Sequence, residues 1–293
     1  MPDLPTSFIG SGSEEVVQVP LPAKQALKWC VSAGDRVLSP PGGVVVLIYH
    51  RVGGGSALDV DLPASEFAIQ MESLAATGRV VSLDRALDQL NEEAPPSQVP
   101  PGPGPIVVTF DDGTADFADV AFPILTKFGI PATLYLATEF IDEARHFPND
   151  GIPLSWTAVR EVHESPLVTI GSHTHTHALL DRLAPAAIEA ELDRADELIE
   201  EHLGSRPEHF AYPKAVAGSS SADAAVRRRY RSAALAGTRA NPFGRTDPHR
   251  LARSPIQCSD GMRYFDAKTR GGMHLEDDLR RFINRWRYRD ATG

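Results

Sequence analysis

Short apolar segments alternate with segments of helical spacing along most of this chain, and this alternation constrains the fold more than any other feature. The predicted strands are continuously apolar and rich in β-branched residues, which is typical of strands buried on both faces. They are Val44–Tyr49, Ile106–Phe110, Ala132–Leu136, Val168–Gly171 and Phe210–Tyr212, with Val80–Leu83 as a further candidate. The predicted helices are Pro63–Thr77, Asp84–Leu90, Ala115–Phe128, Thr157–Glu164 and Ala184–Leu203. Such alternation indicates the α/β class with parallel strands, and about seven units of this kind would close a barrel.

The domain organisation follows from length and from the distribution of proline and glycine. A chain of 293 residues is long enough for an α/β barrel that forms one unit. Residues 1–43 mix polar residues with glycine and proline, which predicts an irregular N-terminal arm containing one short helix around Ala23–Val31. We assign residues 44–293 to a single barrel with a C-terminal helical extension. The dense prolines of residues 94–105 predict a loop outside the fold.

Composition excludes several classes of partner and location. The formal net charge of -10 argues against nucleic acid as the main partner. The longest apolar run, Val44–Tyr49, is far shorter than the roughly 20 residues that a membrane-spanning helix needs. The N-terminus has neither a basic region nor a long apolar region of the kind that marks a secretory signal, so we predict a cytoplasmic protein. The two cysteines, Cys30 and Cys258, have no neighbouring cysteine or histidine at metal-binding spacing.

Residues capable of chemistry follow four of the predicted strands at the point where each strand ends. These residues are Asp111-Asp112-Gly113, Ser172 to His177, Pro213-Lys214-Ala215 and Tyr49-His50-Arg51. In a barrel of parallel strands the loops that follow the strands gather on one face, where active sites form. The sequence therefore predicts that two carboxylates and several imidazoles meet on that face.

The aspartate pair is open to two interpretations. Adjacent residues of an extended chain point in opposite directions, so Asp111 and Asp112 can share one site only if the backbone turns at Gly113. A division of labour fits this geometry, with one carboxylate binding a metal and the other facing the reacting water. The alternative is an Asp-Gly turn whose carboxylate caps the next helix.

The three alternate histidines are also open to more than one interpretation. If the segment turns into a helix, His173 and His177 share a face and His175 points away, whereas an extended segment places all three on one side. Two imidazoles, one carboxylate and a water make an open catalytic zinc site. A site of three histidines is the competing arrangement, and it would leave the aspartate pair without a role. The remaining alternative is that these are surface histidines without a ligand.

These residues resemble the motifs of the polysaccharide deacetylases, the NodB-homology proteins of carbohydrate esterase family 4. The similarity rests on Thr109 to Gly113, on His173 to His177, which fits the family pattern H-[S/T]-x-x-H, and on Phe210-Ala211-Tyr212-Pro213. It extends from Val44 to about Ile256 and implies a distorted (β/α)7 barrel. The first strand, which ends in Tyr49-His50-Arg51-Val52, resembles the branch that deacetylates exopolysaccharides, in which the motifs occur in circularly permuted order.

The resemblance implies a metal site and a base beside it. Asp112 is similar to the metal-binding aspartate, with His173 and His177 completing the ligand set. Asp111 resembles the catalytic base, and Arg253 resembles the arginine that pairs with that base and orients it. Two imidazoles and a carboxylate suit Zn²⁺, and they also accept Co²⁺, Ni²⁺ or Fe²⁺.

The resemblance also implies the groups that act on the substrate. His50 would be the general acid and Tyr212 would offer its backbone N–H to the oxyanion, while His249 and His274 are alternative acids further along the chain. The sequence departs from the family pattern at Lys214-Ala215, where the third motif continues into an aromatic residue and glycine. Neither a tryptophan-containing fourth motif nor a C-terminal Leu-x-His is recognisable.

The expected function is therefore that of a metal-dependent hydrolase that removes N-acetyl or O-acetyl groups from a carbohydrate. The expected substrate is a poly- or oligosaccharide containing N-acetylglucosamine and belonging to exopolysaccharide biosynthesis. Two alternatives remain open. One is a metal-dependent amidase that acts on a cyclic amide or ureide. The other is a carbohydrate-binding protein that keeps the metal but has little turnover, as Lys214-Ala215 would suggest.

Overall fold

The computed structural model of the protein describes residues 42–91 and 103–273. The helix predicted around Ala23–Val31, the C-terminal helical extension and His274 lie outside the described residues. Most of the predicted N-terminal arm and of the proline-rich loop lies outside them as well.

The described residues form short strands that alternate with helices. The strands are β1 (Gly43–Tyr49), β2 (Arg51–Val52), β3 (Asp61–Leu62), β4 (Ile106–Phe110), β5 (Ala132–Leu136), β6 (Val168–Ser172), β7 (His209–Ala211), β8 (Ser232–Ala236), β9 (Asn241–Pro242) and β10 (Leu251–Pro255). The helices are α1 (Ala64–Thr77), α2 (Leu83–Asn91), α3 (Phe122–Phe128), α4 (Thr138–Asp142), α5 (Trp156–His163), α6 (Pro185–Leu203), α7 (Ser220–Arg229) and α8 (Gly261–Thr269).

Seven parallel strands close into a barrel. Their order is β10-β8-β7-β6-β5-β4-β1, and the pairing of β1 with β10 completes the circle. In that closing pair Val46 lies opposite Arg253, while on its other edge β1 pairs with β4 over five residues. The short strand β9 runs antiparallel to β1, and β2 pairs with β3 in a separate two-stranded sheet. The prediction of a closed α/β barrel with about seven units is confirmed.

The amino-terminal end of the barrel is closed by α2. Leucines of this helix pack in one buried cluster with the inward-facing residues of the strands, among them Val44, Val46 and Tyr135. The segment Val80–Leu83, predicted as a candidate strand, is not a strand of the barrel. Val80 makes a single bridge to Ile106, and Leu83 is the first residue of α2. Because side chains fill its amino end, the described part of the barrel leaves the carboxyl ends of its strands as the face where a site can form.

Two barrel strands, β8 and β10, were not predicted. The first, Ser232–Ala236, is dominated by alanine, which has low β propensity, and the second contains Arg253 and Pro255. Their pairing follows from barrel closure rather than from local preference. The helix predicted at Ala115–Phe128 begins as a π-helical turn at Phe117–Ala121 and becomes α-helical at Phe122. Within the described residues, no helix is both long and apolar enough to span a bilayer.

Candidate active site

The turn after β4 brings both carboxylates of the aspartate pair to the same place. The backbone adopts a left-handed conformation at Asp112, with φ of 75°, and at Gly113, with φ of 95°. The reversal thus begins one residue earlier than the sequence suggested. As a result, His173 Nε2 lies 3.9 Å from an oxygen of Asp111 and 3.7 Å from an oxygen of Asp112. The two carboxylates therefore lie at one site.

Asp112, His173 and His177 form a group whose ligand atoms all lie within 4.8 Å of one another. Asp112 Oδ1 lies 3.7 Å from His173 Nε2 and 3.5 Å from His177 Nε2. Ligands about 2.0–2.2 Å from a tetrahedral zinc ion are roughly 3.3–3.6 Å apart, so these separations fit a shared cation after small movements. Burial, with an electrostatic contribution from His173, lowers the pKa of His177 to about 4, which keeps the imidazole in the neutral form that binds metals.

A hydrogen bond outside the ligand set orients His173. Its Nδ1 lies 2.7 Å from the backbone oxygen of Ala211, at the end of β7, and the side chain is buried. A carbonyl can only accept, so Nδ1 carries the proton and donates it. Nε2 is then left with a free lone pair directed at the site, which is the arrangement that metal-binding histidines commonly show.

His175 does not join the group. The segment from His173 to His177 is neither helical nor extended, because Thr174 and His177 both have left-handed backbone angles, with φ of 67° and 61°. His175 turns away from the site, and its Nδ1 lies 3.0 Å from the hydroxyl of Thr138. In the described part of the chain, the geometry therefore favours two histidines with a carboxylate over the three-histidine alternative.

Arg253 reaches Asp111 from within the barrel. Its two terminal nitrogens lie 2.6 Å and 2.8 Å from the two oxygens of that carboxylate, and one of them also donates to the hydroxyl of Thr109 at 3.1 Å. Burial by itself would raise the pKa of Asp111, but Arg253, with His173 and His50, lowers it to about 2. Asp111 is consequently ionised at any pH near neutral.

His50 lies at the carboxyl end of β1, beside this pair. It is half-buried, its charge contributes to the low pKa of Asp111, and its Nδ1 is buried without a hydrogen-bond partner among the described residues. His249, one of the alternative acids, precedes β10 and therefore lies at the amino-terminal end of the barrel, with its Nε2 bonded to the carbonyl of Tyr230 at 2.8 Å. The separation of the two ends of the barrel excludes His249 from the site.

The role predicted for Tyr212 is not compatible with its hydrogen bonding. The backbone N–H of Tyr212 donates to the carbonyl of Ala234 at 3.1 Å, continuing the pairing of β7 with β8. Its ring packs outside the barrel against Phe210 and residues of α6 and α7. Pro213 has no N–H, so the next N–H along the chain is that of Lys214, an exposed residue with φ of 51°. No hydrogen bond from this N–H is present among the described residues.

Two residues that support the histidine segment carry no recognisable sequence signal. Thr138 is hydrogen-bonded to His175, and Glu191 accepts from Thr176. Each is a common polar residue on a regular element. Its role depends on which strand or helix packs alongside, and this is fixed only in the folded chain.

Comparison with known proteins agrees with this geometry. Residues 98–233 match the family model of the polysaccharide deacetylases. YxkH of Bacillus subtilis (strain 168), classed by name among the polysaccharide deacetylases, is 26% identical over 174 residues, which make up 59% of this chain. The match spans 57% of YxkH, so the chain accounts for little more than half of that relative.

Solved structures show the same barrel. IcaB from Ammonifex degensii superposes with a TM-score of 0.66 at 26% identity, covering 78% of this chain and 98% of IcaB. The deacetylase PplD of Streptococcus pyogenes, solved in complex with acetate, superposes with a TM-score of 0.65 at 18% identity, covering 78% of this chain and 99% of PplD. At that identity the second likeness concerns the fold alone.

Proposed function

We propose that this chain, whose barrel belongs to the polysaccharide deacetylase family, is a metal-dependent hydrolase that removes acetyl groups from an acetylated carbohydrate. The observation that carries the proposal is the meeting of Asp112, His173 and His177 around one point, beside an ionised Asp111 paired with Arg253. Such a donor set leaves positions free for water and substrate when it holds a cation.

Amide hydrolysis needs a nucleophile, a means of stabilising the tetrahedral oxyanion, and a proton for the leaving nitrogen. A divalent cation held by Asp112, His173 and His177 would supply Lewis acidity, polarising the carbonyl and making water a stronger nucleophile near neutral pH. Zn²⁺ fits this mixed nitrogen and oxygen donor set, and Co²⁺, Ni²⁺ and Fe²⁺ accept the same ligands.

Asp111 is the base in this proposal. It is ionised, buried and fixed in orientation by two hydrogen bonds from Arg253, and it lies on the same side of the site as His173. Its low pKa makes it a weak base in the ground state. Arg253 keeps Asp111 ionised and correctly oriented before the reaction. Asp111 then accepts the proton of the attacking water.

His50 is the proposed general acid, because it ends a barrel strand and stands next to the Asp111–Arg253 pair. A positioned acid or base typically contributes about 10²–10⁴-fold to the rate. The backbone N–H of Lys214 replaces that of Tyr212 as the proposed oxyanion donor, and one such donor is worth about 3–4 kcal/mol in mutated enzymes.

For the substrate, we infer an N-acetylglucosamine-containing poly- or oligosaccharide, because the motifs resemble the branch that deacetylates exopolysaccharides and the fold is similar to IcaB along nearly the whole length of that protein. The deciding experiment measures acetate release from N-acetylglucosamine oligomers by protein loaded with Zn²⁺ or Co²⁺, with the chelated protein as control. Metal-dependent acetate release supports the proposal. Turnover of a cyclic ureide with no acetate release would replace it with the amidase alternative. Stoichiometric metal without turnover of either substrate would favour the carbohydrate-binding alternative.

A further inference from the structure

We propose that Glu191, on helix α6, is a positioning residue that fixes the metal-facing orientation of His177 by binding the turn at Thr176. The inference rests on the proposed metal site. It concerns a residue 15 positions away from that turn in the sequence, which no motif of the chain singles out.

One carboxylate oxygen of Glu191 accepts two hydrogen bonds from Thr176. The backbone N–H of Thr176 donates to it, and so does the hydroxyl of the same residue, at 3.0 Å. Thr176 immediately precedes His177, and one bond acts on the His175–Thr176 peptide while the other acts on the Thr176 side chain. A single acceptor on a neighbouring helix thus holds the residue before the ligand at two points.

The two histidine ligands differ in how they are oriented. His173 has its own hydrogen bond, from Nδ1 to the carbonyl of Ala211 at 2.7 Å. Among the described residues, His177 has no equivalent bond from its ring. The direction of the His177 imidazole therefore depends on its backbone, and that backbone is held in the left-handed region, with φ of 61°. A non-glycine residue in this region is strained, so the turn needs partners that keep it there.

The first half of the same turn is held by a different element. At the start of α4, the N–H of Thr138 donates to the carbonyl of Thr174 at 3.3 Å, and the N–H of Glu139 donates to the carbonyl of His175 at 2.9 Å. The bond from Glu139 reaches the same His175–Thr176 peptide whose N–H binds Glu191, so α4 and α6 hold that peptide at its two polar atoms. Among the described residues, the Thr176 hydroxyl, one residue before His177, has its bond to Glu191.

Helix α6 is a rigid platform for this contact. It is 19 residues long, and one face is buried against the barrel through Ile188, Leu192, Ala195, Leu198 and Ile199. Glu191 lies one residue before the fully buried Leu192, so its backbone cannot drift away from the turn. A carboxylate on such a helix holds the turn more firmly than a group on a flexible loop.

The test measures metal binding rather than turnover. We compare wild type with Glu191→Ala, Glu191→Gln and Thr176→Val, taking Glu197→Ala as the matched control because Glu197 is an exposed glutamate on the same helix. The Zn²⁺ dissociation constant is obtained by competition with a chelator. The visible absorption spectrum of the Co²⁺-loaded protein reports the coordination geometry, which a purely structural contact would not alter.

The expected result is a 10–100-fold weaker Zn²⁺ affinity for Glu191→Ala, together with an altered Co²⁺ spectrum, as is typical when a residue that orients a ligand is lost. Glu191→Gln retains an oxygen acceptor and should recover part of the affinity, while Glu197→Ala should match wild type. If Glu191→Ala binds Zn²⁺ within twofold of wild type with an unchanged Co²⁺ spectrum, the inference is overturned while the proposed function stands. If wild type itself binds neither metal, both fail.

Discussion

Arg253 and Asp111 form a two-pronged ion pair inside the barrel, with nitrogen–oxygen distances of 2.6 Å and 2.8 Å. Arg253 is fully buried and Asp111 nearly so. Such a pair adds little to stability, because desolvation of the two charges offsets most of their attraction. The pair instead determines the protonation state of Asp111. The pKa of Asp111 falls to about 2, although burial, the largest single influence, acts in the opposite direction.

Replacing Arg253 should therefore move the acid limb of the pH–rate profile. In Arg253→Gln the cation is gone and burial is opposed by His173 and His50 without the arginine, so the pKa of Asp111 rises and the carboxylate is protonated at a higher pH. We expect kcat/KM to decline on acidification at a pH above that of wild type. Arg253→Lys, which keeps the charge but loses the paired geometry, should lie between the two.

The same variant should lose stability, since removing one partner of a buried pair costs about 3–5 kcal/mol. Urea unfolding at neutral pH measures that loss and identifies the conditions under which the variant remains folded for kinetics. A pH–rate profile for folded Arg253→Gln that superposes on that of wild type would show that Arg253 does not control the ionisation of Asp111.

The roles assigned to the aspartate and the histidine can be separated by comparing turnover with metal content. Asp111→Asn should abolish acetate release and keep the metal, because Asp111 lies outside the ligand group. His173→Ala should lose both, since it removes a ligand. Metal analysis and an acetate assay on the same samples provide the measurement. Near-normal activity in Asp111→Asn would show that the base has been assigned to the wrong residue.

The strand ends were predictable from sequence because parallel strands with crossover helices leave no other place for the following loops to gather. The aspartate and histidine motifs follow strands with apolar, β-branched runs, so their convergence could be inferred from the sequence. The direction of each carboxylate could not. It depends on the left-handed turn at Asp112, and aspartate adopts that conformation only occasionally.

The oxyanion donor shows a different limit of sequence reasoning. The motif around Tyr212 identifies a segment, but which N–H is free depends on where strand pairing stops. β7 and β8 remain paired through the Tyr212 N–H, a register set by two short strands, one of them alanine-rich. Local sequence preference was too weak to reveal β8, and it therefore could not reveal that this N–H is already engaged.

His50 can be tested as the general acid by varying the leaving group. His50→Asn should lower kcat on an N-acetylated sugar by about 10²–10⁴-fold, because the departing amine requires a proton. Hydrolysis of an aryl acetate should fall much less, since a phenolate leaves without protonation. His249→Asn is the control, as His249 lies at the opposite end of the barrel. Equal losses on both substrates would argue against an acid role for His50.

Gly113 provides a test of how closely the metal site depends on the packing beneath it. A methyl group at Gly113 would lie 2.9 Å from Leu136 Cδ2 and 3.3 Å from Ile141 Cδ1, and the backbone there has φ of 95°. Gly129 also has a positive φ, of 63°, but nothing lies within 4 Å of an added methyl group. Gly129→Ala therefore isolates the cost of the backbone conformation, about 1–2 kcal/mol. Gly113→Ala should lose stability through both the backbone conformation and the steric overlap.

The overlap should reach the metal through two routes. Asp112 is bonded directly to Gly113, so a shifted turn displaces its carboxylate. Leu136, the residue that must yield, is fully buried, and its carbonyl accepts the N–H of His173 at 2.9 Å. We therefore expect Gly113→Ala to be less stable than Gly129→Ala in urea unfolding and to bind Zn²⁺ more weakly, while Gly129→Ala keeps wild-type affinity. Equal Zn²⁺ affinity in the two variants would show that the overlap is absorbed without moving either ligand, and it would contradict this coupling between the turn and the metal site.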